Sequence, residues 1–323
     1  MLIYVGCSNY ILFQTMIFFK RIFLLFLFAC PGYSIVRSQG VDTSAGKESI
    51  IADNARPVLI SSQFGFTEGP AVDKKGNIYF TDQPNNKIWK YDVDGKLSVF
   101  MYSAGRSNGM YFDKRGYLVS CADEHNELWR ISPDTTVQVL VRDYGGLAFN
   151  GPNDCWLDRK DGIYFTDPYY QRAYWSRTKG DLDGQHVYYL TKKKKLVVAA
   201  DQMVRPNGIV GSADGKYLFV ADIGADKTYR FRIKPDGSLT DKILFVSKGS
   251  DGMTIDNKGN IYLTGKGVSV YTPTGILLQH IDIPEPWTAN VCFGGRNRDI
   301  LFITASKSIY TLKMQVKGVE GKN

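Results

Sequence analysis

Apolar residues along this chain gather in short runs broken by polar turn signals, with almost no helical periodicity in the body. Runs such as Ile78-Tyr79-Phe80-Thr81-Asp82, Ile163-Tyr164-Phe165-Thr166-Asp167 and Ile261-Tyr262-Leu263-Thr264 are rich in β-branched and aromatic residues, which predicts strands. In the first unit the pattern predicts strands over 70–73, 78–81, 87–91 and 96–101, with turns at 74–77 and at Asp94-Gly95. Turns recur at Lys114-Arg115-Gly116, Asp236-Gly237 and Asn257-Lys258-Gly259.

These elements belong to a phrase of about forty-five residues that opens each time on a small acid or its amide. The openers are Glu68-Gly69-Pro70, Asn108-Gly109-Met110, Asn153-Asp154-Cys155, Asn207-Gly208-Ile209 and Asp251-Gly252-Met253, with a degenerate sixth at Asn290-Val291-Cys292. Eight residues further on, four of the six carry glycine, at Gly76, Gly116, Gly215 and Gly259. Four antiparallel strands per phrase and six phrases predict an all-β, six-bladed β-propeller over 55–316, residues 57–62 supplying an outer strand to the last blade. A β-sandwich is the rival architecture, but it gives no reason for openers at fixed offsets.

The chain has 323 residues and a net charge of +8. Its basic residues sit in turns such as Lys74-Lys75 and the run from Lys192 to Lys195, without interleaved aromatics on a helix, which argues against nucleic-acid binding. Lys20-Arg21 precede an apolar run, 22–29, too short to span a membrane, and polar sequence follows from Ser34. That order predicts a secretory leader over 1–38, with Met16 as an alternative start, a linker over 39–54 and a frayed tail after Lys313 and through 317–323. Export to the periplasm or medium is the expectation, and Cys30 is a candidate lipid-anchor site. Cys121, Cys155 and Cys292 are too few and too scattered for a disulfide framework and read as buried small hydrophobes.

In a propeller the first strand of each blade lines the central channel, so the openers converge at the axis. Two carboxylates, Glu68 and Asp251, then meet two amides, Asn153 and Asn207. Oxygen donors without histidine or thiolate favour a hard cation, Ca²⁺ ahead of Mg²⁺, Mn²⁺ or Zn²⁺. The bland alternative, that Asn-Gly and Asp-Gly are only turn dipeptides, does not account for matched acids and amides in four units. A long insertion between Asp167 and Val187, containing Tyr169-Tyr170-Gln171-Arg172-Ala173-Tyr174-Trp175, reads either as a lid over the channel mouth or as a packed surface loop.

At these residues the body resembles the SMP-30/gluconolactonase/LRE family of six-bladed calcium propellers. The carrying phrases are Thr67-Glu68-Gly69-Pro70, Asn153-Asp154 ahead of Ile163-Tyr164-Phe165-Thr166-Asp167-Pro168, Arg205-Pro206-Asn207-Gly208, Ser250-Asp251-Gly252-Met253 and Ala289-Asn290-Val291-Cys292-Phe293-Gly294-Gly295. The resemblance implies metal ligation by Glu68, Asn153, Asn207 and Asp251, with Asp251 also the base or nucleophile. It implies substrate contacts from Arg106 and Asn108, in Arg106-Ser107-Asn108, and from His125. The implied activity is hydrolysis of a small sugar-acid lactone. Metal-assisted cleavage of aryl esters or phosphotriesters at the same site, and a non-catalytic exported ligand-binding propeller, are the alternatives.

Overall fold

In the computed structural model, which describes residues 49–319, the body is a six-bladed β-propeller of four-stranded antiparallel blades. Blade one is built from Thr67–Val72, Ile78–Asp82, Lys87–Tyr91 and Leu97–Tyr102. Blade two follows with Ser107–Phe112, Leu118–Ala122, Glu127–Ile131 and Val137–Val141. Blade three comprises Cys155–Leu157, Ile163–Asp167, Gln185–Leu190 and Leu196–Met203. Blade four comprises Pro206–Gly211, Tyr217–Asp222, Lys227–Ile233 and Leu239–Val246, and blade five Met253–Ile255, Ile261–Gly265, Gly267–Tyr271 and Leu277–Ile281.

Blade six draws on both ends of the body. Thr288–Gly294, Ile300–Ala305 and Ser308–Lys313 supply its inner three strands, and Val58–Ser61 pairs with the last of them as the outer edge. Order extends past the expected limits at both ends. Ile50 is buried, Ile51 bridges Met314, and Gly318 bridges Asp256. The segment after Lys313 is therefore not frayed as expected, because Met314 and Val316 are apolar side chains that the last blade removes from water. The leader region, Met16 and Cys30 lie outside the described residues.

The core lies between blades rather than within one sheet. Trp156, Tyr164 and Tyr189 of blade three pack against Ile209, Phe219 and Val220 of blade four, and the same cluster runs on to Met253 and Ile261 of blade five. Each fully buried large side chain of this kind contributes about 1.5–3 kcal/mol of hydrophobic stabilisation. All three body cysteines are buried within such clusters, outside any disulfide among the described residues.

Two features of the phrase fix the geometry of the axis. The openers of blades one, two, four and six lie at interruptions in the register between the first and second strands, between Glu68 and Ala71, Ser107 and Met110, Pro206 and Ile209, and Thr288 and Asn290. Such bulges re-aim a side chain that regular pairing would hold in the sheet. A threonine of the second strand then pins the opener's backbone: Thr166 Oγ1 accepts from Asp154 N at 3.1 Å, Thr264 Oγ1 from Gly252 N at 2.8 Å and Thr304 Oγ1 from Asn290 N at 3.0 Å.

The residue after the opener is where neighbouring blades touch. A Cβ on Gly69 would lie 2.0 Å from the Asn108 carbonyl oxygen, and one on Gly252 would lie 2.0 Å from Asn290 Cγ. Only glycine allows blades to close this tightly around the axis. Blade three breaks the rule with Asp154, and its carboxylate enters the channel below the openers.

Candidate active site

Five of the openers reach one cavity of about 320 Å³ at the channel mouth. Glu68, Asn108, Asn153, Asn207 and Asp251 line it together with Gln83, Tyr170, Arg172, Arg205 and Trp287. The first four are nearly sealed, with 2–5% of their surface accessible. Asp251 is half-buried and lines the cavity. Its Oδ1 accepts from Asn207 Nδ2 at 2.8 Å and its Oδ2 from Trp287 Nε1 at 2.6 Å. Asn207 Nδ2 also donates to the Tyr170 hydroxyl at 3.0 Å, which leaves the amide oxygen as the atom available to a ligand.

The acids repel one another inside the protein. Burial pushes the Glu68 carboxyl well above the usual carboxylate range, and the charges of Asp251 and Asp154 push it further, against the opposing hydrogen bonds from Gly69 N–H and Asn290. Asp251 is raised by burial to about 6, opposed by Trp287, Asn207 and the Arg172 charge. Beneath them Asp154 is raised by burial to about 7, although Cys155 N–H donates to it at 2.9 Å. Asn290 Nδ2 reaches the same carboxylate at 3.4 Å, so the sixth opener serves this lower layer.

This donor set fits a hard divalent cation. Two ionisable oxygens and two amide oxygens converge, and the mutual repulsion of buried carboxylates is what a bound cation relieves. Among the described residues, no three acid, histidine or cysteine side chains gather at a single point, so the amides are needed to complete the set.

The insertion of blade three covers one side of the cavity. Tyr170 and Arg172 line the wall, and the rest is held down through Asp123. That buried carboxylate accepts from Arg172 Nε at 2.9 Å and from the Tyr174 hydroxyl, while the Asp123 carbonyl accepts from Trp175 Nε1 at 3.1 Å. Burial raises the Asp123 carboxyl and the Arg172 guanidinium pulls it back. Arg177 donates to the carbonyls of Phe149 and Asn150, fixing the far end. Of the two readings of this segment, the lid is the one the packing supports.

Arg106 and His125 stand apart from the cavity wall. The Arg106 guanidinium donates to the Pro84 carbonyl at 2.7 Å, lies 3.4 Å from Glu124 and sits over the Tyr174 ring, so it supports the lid. His125 is half exposed and stacks on Trp129. Asn108 does line the cavity. Residues that sequence reasoning did not single out are Tyr170, Arg172, Arg205, Trp287 and Asp154. Four of them belong to loops with no periodicity to read. Asp154 carried a signal, as a charged residue where four other openers are followed by glycine.

A family model described as the SMP-30/gluconolactonase/LRE-like region matches residues 66–307. The chain belongs to that family. A gluconolactonase of Zymomonas mobilis is 27% identical over 300 residues, spanning 83% of this chain and 84% of the relative. The solved structure of a gluconolactonase from Xanthomonas campestris superposes with a TM-score of 0.77 at 27% identity, covering 84% of this chain and 92% of that one. A regucalcin from Agrobacterium tumefaciens, described as a calcium-binding protein, shares the fold at 17% identity and a TM-score of 0.70, over 82% of this chain and 95% of that one.

Proposed function

We propose that this protein is a divalent-metal-dependent hydrolase that opens a sugar-acid lactone. The observation that carries the reading is the convergence of Glu68, Asn153, Asn207 and Asp251 on one cavity in a chain of this family. These four residues hold the metal, with Ca²⁺ the best match to an all-oxygen set. When bound, the cation supplies Lewis-acid polarisation of the lactone carbonyl and offsets negative charge on its oxygen.

The chain's own residues do the rest. Asp251 takes a proton from the attacking water, and a carboxyl raised to about 6 is ionised at neutral pH yet basic enough for that task. Asn207 and Trp287 grip its two oxygens and fix the direction of transfer. Tyr170, whose hydroxyl already accepts from Asn207, keeps its own proton to donate to a substrate oxygen. Asn108 offers an amide to the sugar hydroxyls, and Arg106 acts through the lid. The insertion narrows the mouth and limits water, which favours hydrolysis only of a ligand that fills the cavity.

The test combines metal analysis of the purified protein with pH-stat assays on aldonolactones, aryl esters and phosphotriesters, with and without chelator. The expected result is lactone turnover that chelator abolishes and calcium restores. Absence of lactone turnover with calcium present overturns the reading, and turnover of aryl esters or phosphotriesters alone would reassign the substrate.

A further inference from the structure

Two guanidinium groups stand on the same wall of the cavity. Arg172, from the lid, and Arg205, from the segment leading into blade four, both line it, and both lie over the ring of Tyr170, at 5.4 and 5.0 Å. Their charges are met differently. Arg172 gives its Nε to Asp123 Oδ2 at 2.9 Å, so its charge has a buried partner. Among the described residues, no carboxylate pairs with Arg205.

Arg205 is exposed at the cavity, its backbone anchored and its guanidinium set over a ring. Its backbone N–H donates to Asp222 Oδ1 at 2.8 Å, its carbonyl accepts from Ile223 N at 3.0 Å, and its side chain is stacked on an aromatic ring fixed at the hydroxyl by Asn207. Asp222 is itself almost fully buried, so this backbone anchor is shielded from water. A guanidinium that is positioned at a ligand cavity and lacks an ion-pair partner is complementary to an oxyanion, which it binds through paired N–H donors.

We infer that the substrate is an anionic lactone, carrying a carboxylate or phosphate away from the scissile carbonyl, and that Arg205 with Arg172 receives that group. This rests on the lactonase reading above and narrows it. The axial residues handle the carbonyl, which every lactone has, while the arginine pair reads a second charge that neutral aldonolactones lack. Such a contact acts on binding, so its loss belongs in KM rather than kcat.

The experiment compares kcat/KM for neutral gluconolactone, carboxylate-bearing glucarolactone and phosphogluconolactone, using the calcium-loaded wild type, Arg205→Ala and Arg205→Lys at low and high salt. The expected result is a wild-type preference for one anionic lactone of about tenfold or more at low salt, shrinking as salt rises. Arg205→Ala should reduce the anionic-to-neutral ratio by about tenfold, mainly through KM, and Arg205→Lys should restore part of it. Which anionic lactone is preferred identifies the group. Equal wild-type kcat/KM for neutral and anionic lactones overturns the inference, as does an Arg205→Ala effect equal on both. Where no lactone is turned over, the lactonase reading fails, and calorimetric titration with glucarate against neutral glucitol decides the anion site. Arg205-dependent binding of glucarate upholds it, and its absence rejects it.

Discussion

At the scale of single residues, the site turns on one carboxylate gripped at both oxygens. Asp251 accepts from Asn207 and Trp287, and burial has lifted its proton affinity. Asp251→Asn keeps the shape and removes the base. We expect kcat/KM for the lactone to fall at least about a hundredfold, with the circular dichroism spectrum unchanged. A variant retaining wild-type turnover would remove Asp251 from the chemistry. The same scale shows where sequence reasoning stopped. Glu68, Asn153, Asn207 and Asp251 were readable as a convergent set because each opens a repeated phrase. Trp287, Tyr170 and Arg205 were not, because they reach the cavity from connecting segments whose course no periodicity encodes.

At the scale of elements, the phrase dictates backbone conformation even where its residue changes. The position eight after each opener adopts positive φ in all six blades, as Gly76, Gly116, Gly215 and Gly259 and also as Asp161 and Arg298. The glycine count in the sequence therefore understated the regularity of the turn. Local crowding separates two of these sites. Gly116 faces open space, whereas a Cβ on Gly76 would meet the Gly295 carbonyl oxygen at 2.4 Å. Gly116→Ala should cost about 1–2 kcal/mol for left-handed backbone alone, and Gly76→Ala distinctly more. Urea midpoints at constant slope would measure both, and equal losses would refute the crowding argument.

A one-residue displacement explains why the second blade was harder to read. Asp82, Asp167 and Asp222 close the second strands of blades one, three and four, and each accepts backbone N–H groups from the segment leading to its opener. Blade two has Ala122 at that place and carries its acid one residue later, at Asp123. The shifted carboxylate holds the lid instead of the blade's own lead-in. The resemblance implied substrate contacts for Arg106 and His125, but around this displaced acid the Arg106 guanidinium sits over the Tyr174 ring of the lid and the His125 ring stacks on Trp129, neither lining the cavity.

For the whole molecule, buried acids on the axis link stability to proton and cation concentration. A raised carboxyl pKa means the folded state binds its proton more tightly than the unfolded chain does. Asp251 and Asp154 therefore favour folding in full below about pH 4, and that contribution is lost as pH rises through about 6 and 7, while Glu68, raised by burial, acts in the same direction. In chelator, Tm should fall between about pH 5 and about pH 8. Calcium should raise Tm more at the higher pH, because it binds the ionised acids. Scanning calorimetry at the two pH values checks this, and an equal calcium effect at both would contradict it. The outer strand Val58–Ser61 gives a second global test. Deleting residues through Ser61 exposes the edge of blade six, and we expect a lower Tm and concentration-dependent aggregation in light scattering.

That strand also sets a clock. It is among the first parts of the body to be synthesised, yet its partner is nearly the last, and the neighbouring hydrogen bond from Thr67 Oγ1 to the Ser308 carbonyl spans 241 residues. The ring cannot close while the chain is still emerging, and contacts of such range make folding slow. The polypeptide must therefore persist as an open, unfinished chain for some time after its first blade could form.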